Sequence, residues 1–345
     1  MTLIELQPKH HDLPRPQQPH VSVIICAYTE ERWHDLVAAV SSVQRQTKPP
    51  LEVIVAIDHN PTLTERVLRE IEGVVVTENR EVRGLSGARN SGIAAARGDV
   101  IAFMDEDAVA EPDWLEQLGS AYADAHVLGV GGTIEPWWVE GRPGWHPEEF
   151  AWVVGCTYHG MPSERSVVRN LIGCNMSMRR EAFATVGGFR SGLGRIGTYP
   201  AGCEETEWCI RAQEALPQGY FVYEPRARVR HRVPGQRATW SYFCRRCYAE
   251  GISKALVSRL VGPGKGLAAE RRYTTRILPQ GVWQGLTEAL TGRDTAALKR
   301  AGAIIVGLGL TTAGFLKGSI STWLEGTIDR RKGQQQRAIT DPGGS

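Results

Sequence analysis

Along the first third of the chain, short apolar runs alternate with stretches of helical period. VSVIICAY (21–28), LEVIVAID (51–58), VVVTEN (74–79) and DVIAFMDED (99–107) are rich in β-branched residues and almost continuously apolar until their last positions. That is the pattern of strands covered on both faces. Helical patterns fill the intervals: Arg32 to about Gln46, a segment from Thr62, the Ala-rich SGARNSGIAAARG (86–98) closed by Gly98, and EPDWLEQLGSAYADA with Pro112 placed for a first turn. Alternating strands and helices predict an α/β fold around a doubly wound, mainly parallel sheet. The stretch 130–200 is less regular. NLIGCNMSMRREAFATVGGF (170–189) reads as strand, short helix and glycine turn, CEETEWCIRAQEAL (203–216) as a helix stopped by Pro217, and YFVYEP and ARVRHRV as strand-like. From about 237 to 325 the pattern is mainly helical, with no repeat and no low-complexity linker, so the parts are expected to pack as one unit.

Composition narrows this picture. With 345 residues, 42% hydrophobic and 23% charged, the chain has enough apolar material for a well-formed core. A formal net charge of +2 gives no field for nucleic acid, although 226–246 is rich in arginine and has no acid. Seven scattered cysteines make no secreted disulfide framework and indicate a reducing compartment. Cys244 and Cys247 form a lone CxxC without the second pair a zinc site needs, so they read as two cysteines sharing a helix face. Residues 1–20 are polar and Pro-rich, lack a signal-peptide core and read as a flexible arm; 331–345 reads as a disordered tail. AGAIIVGLGLTTAGFL (301–316) carries no charge before Lys317. It is short for a spanning helix. Two readings stay open: a buried C-terminal helix, or one lying in a membrane surface with Arg293, Lys299, Arg300, Lys317 and the basic run 330–332 touching anionic headgroups.

Chemistry concentrates at the strand ends. Tyr28 and Glu30 follow the first strand, Asp58 ends the second, and Asp105 and Asp107 end the fourth. Parallel sheets bind ligands outside the carboxyl ends of their strands. Asp-x-Asp there suits Mg²⁺ or Mn²⁺ beside a diphosphate, because hard oxygens suit these ions. A solvated turn is the other reading of the same three residues. GLSGARNSG does not have the spacing of a dinucleotide-binding GxGxxG loop.

The order VSVIICAYTEER, VIVAID, GLSGARNSGIAAARGDVIAFMDEDAVAEPDWL, GCNMSMRREAFATVGGF and CEETEWCIR resembles the family 2 glycosyltransferases, from about Val21 to Gly251. PEEFAWVVGC, VRN and GCN resemble, within that family, the glucosyl-dolichyl phosphate glucuronosyltransferases and their bacterial relatives. The resemblance implies the GT-A fold, a Rossmann-like mixed sheet, here with a C-terminal helical extension. It implies a nucleotide-sugar donor. By position, Tyr28, Glu30, Asp58, Arg89, Asn90, Asp105 and Asn175 would bind that donor: Tyr28 on the base, Asp58 on base or ribose, Arg89 on the nucleotide or its phosphates. Asn90 could instead cap its turn, and Arg89 could be an ordinary surface arginine. Asp107, with Asp105 and His231, would hold the metal; a lone histidine can also be structural. Glu106 stands where the family often has Asp and is expected to point elsewhere. Glu205, with Glu204, matches the acid pair whose second member is the catalytic base. An inverting transfer needs a carboxylate to take the acceptor proton, and the base stays open among Glu204, Glu205 and Glu207. Arg228, Arg230 and Arg232 flank His231 on a strand. Arg245 and Arg246 lie in a basic-aromatic helix that lacks the family's QxxRW form. Trp137, Trp138, Trp145 and Trp152 would flank the sugar and acceptor side, or pack in the core.

The expected organisation is a nucleotide-sugar-binding half (21–135), an acceptor and catalytic half of the same GT-A domain (136–250), and a helical, membrane-associated region (251–330). The expected activity is a metal-dependent (Mg²⁺ or Mn²⁺) inverting transfer of a sugar, glucuronic acid being a candidate, from a UDP-sugar to a hydroxyl of a glycan or polyprenyl-linked acceptor. The expected place is the cytoplasm, at the inner face of the cell membrane through 293–332, with no nucleic-acid partner. Alternatives are transfer to polyprenyl phosphate itself, nucleotidyl transfer, and a binding protein without turnover.

Overall fold

A computed structural model describes residues 19–195, 202–262, 270–292 and 294–340, with the backbone alone for 321–340. The strands are β1 (Val21–Ala27), β2 (Glu52–Ile57), β3 (Val75–Glu78), β4 (Val100–Asp105), β5 (Ala108–Ala110), β6 (Val127–Trp138), β7 (Ser166–Val168), β8 (Asn175–Arg179) and β9 (Tyr220–Val233). They form a single sheet in the order β3-β2-β1-β4-β8-β6-β9-β5, with β7 against β9. β3, β2, β1 and β4 run parallel. β8 is antiparallel to both β4 and β6, β6 is parallel to β9, and β5 and β7 are antiparallel to β9. The sheet is therefore mixed. Its parallel part is the half whose strands showed in the sequence as continuous apolar runs.

Alternate residues of each central strand serve two cores. Val23, Ile25, Val53, Val55, Ile57, Ala102 and Met104 face one layer. There they meet α1 (Trp33–Gln44), α2 (Pro61–Glu70) and α4 (Trp114–Gly119) through Leu36, Val40, Leu63 and Trp114. Ile24, Ile54, Ala56, Ile101 and Phe103 face the other. That side is covered by α3 (Leu85–Ala95), α5 (Arg180–Val186) and α6 (Glu204–Ala215), with the Phe183 and Trp208 rings tilted at 38° and 4.6 Å apart between centroids. Asn60 caps α2 by accepting from Leu63 N at 3.0 Å, with Pro61 in the first turn.

YFVYEP and ARVRHRV are one strand, not two. β9 keeps pairing with β6 across a bulge, where the register jumps from Gly132↔Glu224 to Thr133↔Arg228. Helix α7 (Trp240–Val261) follows. A short helical turn, Glu270–Arg272, and a π-helical turn, Tyr273–Ile277, lead into α8 (Leu278–Leu290) and then α9 (Ala297–Thr340). α9 lies along α7 at backbone contact. A Cβ on Gly251 would collide with the Thr311 carbonyl, and one on Gly314 with the Tyr248 carbonyl. Small residues at both points permit that approach.

The two readings of 301–316 meet in the middle. Ala301, Ala303 and Ile304 are buried against neighbouring helices, while Leu298, Ile305, Leu316 and Ile320 stay exposed. α9 continues to Thr340, where polar composition predicted loose chain from 331; residues 341–345 lie outside the described residues, as do residues 1–18 of the expected arm and Arg293. The side chains of 330–332 are likewise undescribed.

Candidate active site

The carboxyl ends of the parallel strands stand level. Ala27 pairs with Ile57, and Cys26 with both Ala56 and Asp105. Tyr28, Asp58 and Asp105 therefore open onto one cavity of about 1030 Å³, whose far wall is built by α6, α7, α8 and α9. The C-terminal helices are thus part of the site.

At the strand ends, Asp58 accepts hydrogen bonds from Asn79 Nδ2 (2.7 Å) and Gly84 N (3.0 Å) and lies 2.9 Å from His59 Nδ1. Tyr28 has the Arg32 guanidinium 5.4 Å from its ring centre. Three expected donor contacts are not brought here. Glu30 sits exposed in a 3₁₀ turn, 3.9 Å from Arg66. Asn90 is turned to Phe189, accepting from its N–H at 2.8 Å and donating to its carbonyl at 2.9 Å. Asn175 is fully buried, accepts from Trp114 Nε1 at 2.8 Å and donates to the Thr133 and Ala227 carbonyls, both at 2.9 Å. Its amide is consumed in holding the β9 bulge, a demand that only the β6–β9 pairing creates.

β4 ends at Asp105, so strand alternation no longer governs the next two residues, which turn. This overturns the expectation for Glu106. It is buried, lines the same cavity, and accepts from Arg32 Nη1 at 2.9 Å. Burial, against the pull of Arg32, pushes its carboxyl up to about 8. Asp107 lies 3.1 Å from His231 Nε2, 3.2 Å from Arg237 Nη2 and 3.4 Å from Arg32 Nη1. Burial would raise its pKa, but His231, then Arg237 and Arg32, hold it well below the usual carboxylate range. Burial likewise opposes charge on His231, yet Asp107 beside it drives it up to about 10. β9 delivers this histidine opposite Ala108 and Pro136, while Arg228, Arg230 and Arg232 point outward to Glu135, Glu111 and Asp35.

Asp105, Cys174 and His231 each bring a ligand atom within 4.8 Å of the others, and Asp107 adjoins His231. Glu106 Oε2 is buried without a hydrogen-bond partner on the same turn. Once the cation displaces the His231 proton, an oxygen and imidazole set with a spare buried acceptor fits a divalent cation of the Mg²⁺ or Mn²⁺ type. Burial keeps the Cys174 thiol protonated.

The three acids at the start of α6 separate into different roles. Cys203, at φ +72°, turns the chain into the helix. Glu204 is buried against Arg89, with Nη1 at 2.7 Å, and Arg89 also reaches the Gly173 carbonyl at 3.1 Å and Asp105 at 3.7 Å. Glu207 is buried between Arg190 (3.1 Å) and Arg211 (3.0 Å), away from the cavity. Glu205 alone of the three is half-buried in the cavity with no ion pair among the described residues; it accepts from the Thr206 hydroxyl at 3.4 Å. Burial first, then the Glu204 charge, raises its pKa well above the ordinary value.

Of the four tryptophans expected beside the sugar, Trp152 lines the cavity, donating to Tyr273 Oη at 3.0 Å. Trp145 packs on Trp240 and Phe243, Trp138 on His146, and Trp137 is exposed on the surface. Arg246 lines the cavity and pairs with Glu250 at 2.8 Å, while Arg245 is exposed outside it. Cys244 and Cys247 are free. Arg32, Arg237, Cys174 and Lys254 also line the cavity and did not stand out in the sequence. Arg32 and Arg237 lay in segments whose partners, Glu106 and Asp107, were already of interest; only their distance in space was missing.

Residues 22–187 match the model of Glycosyl transferase family 2. The chain is 37% identical, over 70% of its length and 78% of the relative's, to the glucosyl-dolichyl phosphate glucuronosyltransferase of Haloferax volcanii. This chain belongs to glycosyltransferase family 2. It is also 25% identical to the succinoglycan biosynthesis protein ExoM of Rhizobium meliloti, over 67% of this chain and 73% of that one. Among solved structures, the mannosyltransferase PcManGT of Pyrobaculum calidifontis, determined with GDP-Man and Mn²⁺, superposes with a TM-score of 0.52 at 17% identity, covering 86% of this chain and 88% of that one. The fold is GT-A, with a C-terminal helical extension, and the protein is a glycosyltransferase.

Proposed function

We propose that this transferase moves a sugar from a UDP-sugar, with inversion, to a hydroxyl of a polyprenyl-linked glycan at the cytoplasmic face of a membrane. Glucuronic acid is the leading sugar, by similarity to the Haloferax volcanii enzyme. The observation that carries the reading is Glu205: a carboxylate with raised proton affinity and no cationic partner among the described residues, in the cavity that holds Asp105, Asp107 and His231.

In this reading Tyr28 and Asp58 hold the nucleoside and Asp105 faces the ribose. Asp107, Asp105 and His231 would hold Mg²⁺ or Mn²⁺. When bound, the cation supplies neutralisation of charge on the departing diphosphate. Arg89 holds Glu204 in a buried ion pair, which leaves Glu205 as the base. The acceptor oxygen forms the new bond to the anomeric carbon, the bond from that carbon to the diphosphate breaks with its electron pair, and Glu205 takes the acceptor proton. Arg32 and Arg237 place positive charge beside the same turn.

The exposed apolar side of α8 and α9, with Trp283 and Leu290 outward, supports membrane contact. Residues 297–320 are long and apolar enough to cross a bilayer. Crossing would carry the charged α7 packed beside them into hydrocarbon, so a helix lying in the interface is favoured.

Glu205→Gln is expected to keep nucleotide-sugar binding while transfer falls about 10²- to 10⁴-fold, the range of a lost general base. Calorimetric titration of donor and single-turnover transfer of radiolabelled sugar measure the two. Transfer at the wild-type rate would remove Glu205 as base and favour direct transfer to a phosphate, which is already ionised.

A further inference from the structure

Between the C-terminal helices lies a second, open groove of about 440 Å³, which the proposed chemistry does not use. It runs between α8 and α9. Val282, Trp283 and Leu286 line one side, and Ile304, Ile305 and Gly309 the other. Thr274, Leu278 and Leu308 border both this groove and the reaction cavity, so the two lie one side chain apart.

We propose that the groove is the subsite for the isoprenoid chain of the acceptor. This deepens the lipid-linked reading above and rests on it.

Chemistry changes sign across the shared border. On the reaction side stand Lys254, held by Glu270 at 2.7 Å, and the exposed Arg271. On the other side the lining is almost wholly apolar. An amphiphile with an anionic head and an apolar chain matches this succession. The outer rim is accessible: Trp283 is 70% exposed and Ile305 60%. These residues belong to the face assigned to the membrane, so a chain can enter from the bilayer without crossing water. Gly309, exposed on the groove's lining, leaves space there, since a Cβ on it would meet nothing within 4 Å. A volume in the range of small-ligand sites fits a single chain better than a protein partner, whose interface needs a far larger surface.

The test compares two acceptors carrying the same sugar, a long polyprenyl phosphate and a short water-soluble alkyl phosphate. Gly309→Trp fills the groove from a position where the added side chain has space, and Leu286→Trp does so from the other helix. Each is expected to lower kcat/KM for the long acceptor about tenfold more than for the short one, the loss expected from barring about two methylenes from apolar burial. A long polyprenyl phosphate without sugar, carrying a diazirine at its far end, is expected to cross-link to peptides of α8 and α9 in the full-length wild-type protein. Cross-links confined to other segments, or variants that treat the two acceptors alike, overturn the groove assignment. If wild type transfers sugar to neither acceptor, the proposed function falls, and the sugar-free cross-linking result still decides the groove.

Discussion

Asp107, proposed to hold the cation, also bears on stability. Its carboxylate is the meeting point of His231, Arg237 and Arg32. Removing it would leave three cations facing one another with little solvent. Asp107→Ala is therefore expected to cost about 3–5 kcal/mol of stability, as in other broken buried pairs, besides lowering transfer by roughly 100-fold or more. Asp107→Asn keeps the shape and should cost less. Thermal melts with and without Mn²⁺ check this: the wild type should gain stability with the ion and both variants should not. A variant that still gains as much as wild type would take Asp107 out of the metal set. The sequence made Asp105 and Asp107 visible because acids that end an apolar strand are conspicuous. It gave no means of seeing that Glu106 faces the same cavity, because the strand's end point sets where alternation stops.

At the scale of elements, β9 carries the most. Its bulge lets one strand present His231 inward and still bury Glu224, which accepts from Arg165 Nε (2.6 Å), Arg226 Nε (2.9 Å) and Arg226 N (3.0 Å). Burial alone would raise this carboxyl, but the Arg226 and then Arg165 hydrogen bonds bring it from 4.5 down to about 2. A depressed carboxyl stabilises the fold fully above its unfolded value and loses that contribution as pH falls towards the folded value. Glu224→Gln should therefore cost roughly 2 kcal/mol at neutral pH, less than a fully buried pair because both arginines are partly exposed. The gap between wild-type and variant melting temperatures should close between pH 4.5 and about 2. A gap independent of pH would mean that packing, not charge, is lost. α6 teaches a related lesson. Three acids at a helix start are equivalent to the helix dipole, and only the neighbours Arg89, Arg190 and Arg211 distinguish them.

Across the whole molecule, α7, α8 and α9 close the cavity that the sheet opens, and they turn an apolar face outward. Trp283 and Leu290 are 70% and 87% exposed. Replacing both with Asp should leave the melting temperature nearly unchanged, since exposed sites contribute little to the core. The same change should reduce co-flotation with anionic vesicles by about tenfold, because the apolar area available for the interface shrinks. Undiminished flotation would place membrane contact elsewhere. Deleting α9 would be a poor substitute, as its buried side also walls the reaction cavity through Leu308, Thr311 and Phe315.

By itself the sequence determined what depends on near neighbours: the four parallel strands, the helices between them, and the polar groups Tyr28, Asp58 and Asp105 left at their ends. These follow from side-chain period and from the geometry of crossover connections. Only the tertiary structure decided which polar groups are spent inside the fold. Asn175 is taken by the bulge, Asn90 by Phe189, Glu204 by Arg89 and Glu207 by Arg190, each partner lying outside the residue's own element, while Arg211, one turn along α6, completes the hold on Glu207. A buried polar group must satisfy its hydrogen bonds with whatever the fold brings near. Glu205, the proposed base, has no ion pair among the described residues, whereas both of its acidic neighbours are paired.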